Sequence, residues 1–195
     1  MDIGVMGTGM VGTTIAARLE ELGHGVRSGG RGSFADVASF GELVFNCTAG
    51  EGAEAAAASA AGELEGKVLI DVSNPLAHSE DGPPGLFVGL DDSLGERVQR
   101  AAPNARVVKA LNTVNCEVMV HPELVPGDHV VFVCGDDAAA KAEAAALLET
   151  FGWGPGRVTD LGGLSAARAT EAYILLWVRL MGVQGGARFN IEVRS

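Results

Sequence analysis

Cysteine is scarce in this chain and forms no pattern. Cys47, Cys116 and Cys134 are odd in number, widely spaced and free of any C-x-x-C pair. That excludes a disulfide framework and a structural zinc site, and it fits a reduced, cytoplasmic protein. Cations are also few: 14 Lys and Arg stand against 25 Asp and Glu, for a formal net charge of −11. Nucleic acid and anionic membrane surfaces are therefore poor partners. No apolar run approaches the ~20 residues of a membrane span, and the first residues lack the basic flank and cleavable apolar stretch of a signal peptide. The four histidines are scattered without ligand spacing, so no metal site is expected.

Glycine, by contrast, is abundant at 28 residues, and its most informative cluster lies in Met1–Val26. Residues 2–6 read as a short buried strand, Gly7-Thr8-Gly9-Met10-Val11-Gly12 as a tight turn, and 10–22 as a helix. This is G-x-G-x-x-G with a strand before it and a helix opening at it, the setting in which the motif binds a dinucleotide. Gly7 lets the chain leave the strand, Gly9 lacks the side chain that would hold a pyrophosphate off the backbone, and Gly12 lets helix and strand pack closely. The diphosphate would rest on unpaired amides at the positive end of the helix.

Beyond this stretch, apolar runs and helical patterns alternate. The pattern predicts further strands over 25–28, 43–47, 67–72, 106–111, 129–134 and 157–161. Helices are expected over 34–40, 51–61, 93–101, 138–151 and 164–181, with Ser93 and Asp136/Asp137 as N-terminal caps. Residues 77–92 read as irregular and 112–121 as a helical turn. Such alternation means an α/β fold, a Rossmann-type doubly wound, mostly parallel sheet with helices on both faces. A small C-terminal helical extension follows it.

An NAD-binding chain places Asp or Glu about 20 residues past the glycines, at the end of the second strand. Here the position reads Arg27-Ser28-Gly29-Gly30-Arg31. No carboxylate is present to repel a ribose phosphate. Arg31, helped by Arg27 and Ser28, can donate to it, and the glycines, Gly30 among them, let the phosphate approach. The cofactor expected is NADP. In open α/β sheets the reactive end of a ligand lies beyond the carboxyl ends of the strands, which gathers Thr48-Ala49-Gly50, Ser73-Asn74-Pro75 and Asn112-Thr113-Val114 into one crevice. The set holds no Ser/His/Asp triad and no paired carboxylates. Hydride transfer between two stacked rings needs neither; it needs orientation and a dry cleft.

Taken as an ordered set, MGTGMVG, the Gly-Gly-Arg after the second strand, IDVSNPL, VVKALNTV and VCGDDAAAK resemble the F-420-dependent NADP oxidoreductase family, from Met1 to about Glu171. The reductase domain of the six-transmembrane epithelial antigen metal reductases is a related cousin. The resemblance implies hydride transfer between NADPH and a deazaflavin (F-420) or flavin-like acceptor, a small molecule in either case. It also implies an NADP-binding Rossmann domain over 1–162, with a C-terminal helix and tail over 163–195 closing the acceptor pocket. By position, Thr8, Gly9, Met10 and Val11 would face the pyrophosphate and Arg31 the ribose phosphate. Thr48 and Ala49 would line the ribose, and Asn74 and Pro75 the nicotinamide. Asn112, Thr113 and Val114 would sit between the rings, Asn112 and Thr113 orienting them without acid or base. The chain departs from the family at Gly30, where a Ser or Thr is common. It departs again at Asn112, where archaeal members have His, and at Asn115-Cys116-Glu117, where they have Pro-Ala-Ala. Two other functions stay open: an NADPH-dependent reductase of a small organic metabolite, and a non-catalytic NADP(H)-binding sensor or assembly module.

The remaining conspicuous residues have plainer expectations. Lys109 reads as a strand-end lysine, His24 as a cation suited to a helix C-terminus, and His78, His121 and His129 as surface residues. Cys116 reads as a small apolar filler rather than a redox thiol. Ala172–Val178 (AYILLWV) is apolar on all sides, which predicts burial against both the sheet and a second subunit in a homodimer. Tyr173 and Trp177 suit that interface or the acceptor pocket, with aromatic enrichment favouring the interface. Residues 185–195 read as an edge strand or a cover for the partner.

Overall fold

Strand β1 (Asp2–Met6) buries Ile3, Val5 and Met6 completely, and the rest of the sheet is laid out on either side of it. The computed structural model describes residues 1–77, 79 and 82–194; His78 lies outside them. After β1 come α1 (Met10–Glu21), β2 (Gly25–Gly29), α2 (Phe34–Phe40), β3 (Leu43–Asn46), α3 (Gly50–Ser59) and β4 (Val68–Asp71). A two-residue antiparallel ladder of β5 (Leu76–Ala77) and β6 (Gly85–Leu86) follows, so the stretch expected to be irregular contains one short pairing. Then come α4 (Leu94–Ala101), β7 (Arg106–Ala110), α5 (Cys116–Val120), β8 (Val131–Cys134), α6 (Ala138–Phe151), β9 (Val158–Asp160) and α7 (Ala167–Gln184).

The main sheet runs β2-β1-β3-β4-β7-β8-β9. The first five strands are parallel, β8 pairs antiparallel to β7, and β9 is parallel to β8. The chain steps outward from β1 to β2 and then returns across β1 to β3, which creates a crevice at the carboxyl ends of β1 and β3. A Rossmann-type α/β fold with a C-terminal helix is what the alternating pattern implied. The strands are apolar on both sides because helices cover both faces. Ile3, Val5, Phe45, Ile70 and Val108 pack on α1, α5 and α6. Met6, Val44, Leu69 and Val107 pack on α2, α3 and α4.

Local chemistry sets the element ends. Ser93 Oγ accepts from the Glu96 amide at 3.1 Å and Asp137 Oδ1 accepts from the Ala140 amide at 2.8 Å, capping α4 and α6. Gly152 and Gly185 end α6 and α7 in the left-handed conformation. In the first turn, Gly7 has φ +120, and a side chain there would also meet the Cys47 carbonyl oxygen. A Cβ on Gly12 would collide with the Gly7 carbonyl oxygen, so α1 lies against β1 only because that position is bare.

Three expectations are corrected. His129 is no surface residue: it is 2 % exposed, its Nε2 lies 3.0 Å from the carbonyl oxygens of Pro122 and Val125, and its ring meets Trp153 edge-on. Among the described residues the tail forms no strand. It makes one ladder-like bond, from the Val130 amide to the Ile191 carbonyl, while Asn190 Nδ2 donates to the Val130 carbonyl and to His129 Nδ1. Lys109, expected as an ordinary strand-end lysine, is sealed inside near the end of β7, and its surroundings are described below.

Gly12→Ala should cost about 3 kcal/mol, because the contact is backbone on backbone and no rotamer relieves it. Thermal melting of the variant should show a midpoint lower by roughly 6–12 °C; an unchanged midpoint would contradict the close packing of α1 on β1.

Candidate functional site

Above the carboxyl ends of the parallel strands lies a cavity of about 300 Å³. Met10 and Val11 come to it from the first turn, Cys47–Gly50 from the end of β3, and Val72–Asn74 from the end of β4. Asn112 and Val114–Cys116 arrive from the end of β7, Met119 from α5, and Ile174 and Trp177 from α7. Among the described residues no charged side chain lines it. Its polar character comes from amides and hydroxyls, so it offers orientation rather than proton transfer.

The two asparagines are joined reciprocally. Asn74 Nδ2 donates to the Asn112 carbonyl at 2.8 Å, and Asn112 Nδ2 donates to Asn74 Oδ1 at 3.0 Å. This fixes the loops after β4 and β7 relative to each other. Leu111, just before Asn112, has φ +62 while being fully buried. A leucine held in the left-handed region carries backbone strain of about 1–2 kcal/mol, and the sharp turn it makes brings Asn112 over the crevice. Thr113 is buried behind its neighbours, with an Oγ1 that has no hydrogen-bond partner.

Beneath this neutral surface lies a charged layer. The register aligns Asn46 with Asp71 and Asp71 with Lys109 across β3, β4 and β7. Lys109 is 1 % exposed; its Nζ donates to Asp71 Oδ2 at 2.7 Å and to the Ser73 carbonyl at 2.6 Å, and it pairs with Glu171 Oε1 at 2.8 Å. Asp71 Oδ1 accepts from Asn46 Nδ2, from the Ser73 amide and from Ser73 Oγ. Asn46 Oδ1 in turn accepts from Thr48 Oγ1 at 2.7 Å. Glu171, on α7, also accepts from the Leu94 and Gly95 amides at 2.7 and 2.9 Å, capping α4 from another element. Burial opposes the charge on Lys109, but Asp71 and Glu171 outweigh it and hold the ammonium above the ordinary lysine range. Lys109 is therefore a charged internal anchor, and the sequence pattern missed it together with Asp71 and Glu171. The nearest available signal was its alternation with Val107, which puts it on a covered face of the sheet.

Other expected site residues fall around the cavity rather than in it. A Cβ on Gly9 would meet nothing within 4 Å, leaving open space beside the first amides of α1, which have no intrahelical acceptor. Met10, at the same place, is 74 % exposed. Ser28, Gly30 and Arg31 follow at the end of β2, with Gly30 beside Thr8. Arg31 is exposed, whereas the Arg27 guanidinium lies 4.4 Å above the Phe40 ring and is occupied there. Pro75 is buried at the end of its loop. Residues that pattern alone did not include, Cys47, Val72, Met119 and Ile174, complete the wall.

Trp177 resolves towards the cavity: it lines the wall and stacks on Phe189 of the tail with ring centroids 5.3 Å apart. The tail is tied to α5 by Arg188, whose guanidinium pairs with Glu117 at 2.7 and 3.2 Å. That pairing also turns Glu117 to the outside. Burial, with Asp71 nearby, pushes the Cys47 thiol far above its ordinary range, and burial pushes Cys134 up to about 12. Neither is a nucleophile at neutral pH. Cys116 is buried in the wall. Among the described residues no cluster of three His, Cys, Asp or Glu is placed to hold a metal, and no helix is long and apolar enough to cross a membrane.

Comparison with known proteins follows the same line. No family model matches the chain. A solved structure from Arthrobacter sp. FB24, provisionally described as an F420-dependent NADP reductase, is 43% identical, with all of both chains covered and a TM-score of 0.95. The rat (Rattus norvegicus) metalloreductase STEAP3 is 29% identical over 186 residues, covering 87% of this chain. The chain spans about a third (36%) of that protein's length. An imine reductase from Myxococcus stipitatus, solved with NADP+, shares the fold at 12% identity and a TM-score of 0.66, over 95% of this chain and 63% of that one.

Lys109→Met leaves two buried carboxylates without their common partner and should destabilise the chain by about 3–5 kcal/mol, read as a lower denaturant midpoint. Gly9→Ala, facing open space, should leave that midpoint unchanged while weakening NADP binding at least about tenfold in calorimetry. Equal loss of stability in both variants would contradict the separation of anchor from cradle.

Proposed function

The chain belongs to the family of F420-dependent NADP reductases, oxidoreductases built on this fold, and we propose that it transfers hydride between NADPH and a deazaflavin or flavin-like acceptor. The observation that carries this reading is the uncharged crevice above the β1–β3 switch point, walled by amides on one side and by Ile174 and Trp177 on the other. The cradle fits the cofactor: bare space at Gly9, free amides at the start of α1, and an exposed Arg31 with no acid beside it. NADPH, when bound, supplies the hydride. Thr8 to Gly12, with Gly7 shaping the turn, hold the diphosphate. Ser28, Gly30 and Arg31 take the ribose phosphate, and Thr48 and Ala49 line the ribose. Asn74 and Pro75 bear on the nicotinamide, and the Asn74–Asn112 pair keeps the amide wall in one orientation. Asn112 and Val114, with Thr113 packed behind them, set the plane in which the two rings meet, with no acid or base required.

In this reading residues 1–162 bind NADP, and 163–195 close the acceptor side, where Phe189 backs Trp177 and Arg188 ties the tail to α5. The outward face of α7 leaves Leu176 55 % and Val183 81 % exposed. A second copy pairing through this face in a symmetric dimer would cover them. A cavity of about 300 Å³ also suits a small organic acceptor, and competition between metabolite and deazaflavin in turnover separates the two substrates.

The first test is consumption of NADPH, followed by its absorbance, with F420 or FMN added. Turnover with neither would overturn the reading as an acceptor reductase, and tight NADP binding without turnover would favour a sensor. Arg31→Asp should weaken NADP binding by about 10- to 100-fold and leave NAD binding less affected. Unchanged NADP affinity would remove Arg31 from the phosphate site. Leu176→Asp should convert a dimer seen by analytical ultracentrifugation into a monomer; a wild-type monomer at micromolar concentration would sink the α7 interface.

A further inference from the structure

We propose that Lys109 is a positioning residue that ties the cofactor wall of the crevice to the acceptor wall, so that occupying one stiffens the other. The proposal rests on the NADPH-reductase reading above. An ammonium group is a compact charge with three hydrogens to donate, and that of Lys109 bonds two groups at the end of β4 and pairs with a carboxylate of α7. Asp71 Oδ2 and the Ser73 carbonyl belong to the end of β4, which carries Asn74 into the crevice. Glu171 Oε1 belongs to α7, three residues before Ile174 and six before Trp177, both in the acceptor wall.

No solvent shares these bonds, since the Lys109 and Asp71 side chains are fully buried and that of Glu171 nearly so. In such surroundings charge pairs are far stiffer than at a surface. The chain of contacts continues in both directions. Asp71 Oδ1 holds Ser73 and Asn46, and Asn46 holds Thr48 at the end of β3. Glu171 holds the first amides of α4. The segment after β4 and the wall helix α7 thus meet at one nitrogen atom, and the segment after β3 joins them through Asn46 and Asp71. An anchor needed for stability alone could lie anywhere in the core. This one sends its bonds to residues in the two walls or directly beneath them.

Amide hydrogen exchange on the full chain, with and without NADP+, tests the coupling and needs no acceptor. In the wild type, NADP+ should slow exchange at residues 7–12 and 72–74, and by about tenfold across 174–181 of α7. Glu171→Gln keeps a carbonyl oxygen for the α4 amides and should retain the first effect while losing most of the second. Lys109→Met combined with Glu171→Gln leaves Asp71 as the cluster's one charge, the same net −1 as the native set of two acids and one base. It should likewise lose the effect on α7. A merely structural role would lower the melting midpoint without altering where NADP+ protects. Protection at 7–12 with none in α7 of the wild type, or α7 protection that persists in both variants, would overturn the proposal. Absence of NADP+ protection at 7–12 in the wild type would sink the reductase reading, and the coupling with it.

Discussion

A single buried ammonium, that of Lys109, holds the working end of this molecule together. Taking three charges out of water costs several kcal/mol per ion, and a cluster of this kind persists only when nearly every lone pair and proton is used. That condition is met here. Lys109 donates to Asp71 and to the Ser73 carbonyl and pairs with Glu171, Asp71 also receives Asn46 and Ser73, and Glu171 also receives two amides of α4. The parallel register brings Asn46, Asp71 and Lys109 side by side, and α7 lays Glu171 across the gap. With the strand ends and α7 fixed in this way, the crevice above them has one shape.

That crevice is neutral although the layer beneath it is not. The division suits hydride transfer, in which two rings must be held at contact distance in dry surroundings and no side chain need exchange a proton. It also bears on a problem posed by the net charge of −11. An anionic dinucleotide cannot rely on the overall field of such a protein. In the proposed reading the attraction is local, at the start of α1 and at Arg31, while Arg27 is committed to the Phe40 ring. The glycines of the first turn divide the task physically: Gly7 supplies the backbone angle, Gly12 the close approach of helix to strand, and Gly9 the empty space.

Much of this could be read from the chain before any coordinates. The first turn was legible because its meaning is contained in six consecutive residues and the elements flanking them. The caps at Ser93 and Asp137 and the alternation of strands and helices were legible for the same reason. Lys109 was not, because its charged partners lie 38 residues before it and 62 after it. Nothing in VVKAL distinguishes a lysine that leaves the sheet from one sealed inside. His129 was misjudged in the same way: its partners are carbonyls of a neighbouring loop and an asparagine of the tail. Trp177 was ambiguous because a helix apolar all round does not say which side meets the crevice.

The sequence by itself determined the class of fold, the glycine turn between β1 and α1 and the absence of an acid at the end of β2, since each depends on short-range spacing and on which residue types occur. Only the tertiary structure decided which face of α7 walls the crevice, where the tail lies, and that two acids and a lysine share one buried site. Those outcomes depend on the packing of segments distant in the chain, where burial and the need to satisfy every buried polar group override what each segment prefers alone.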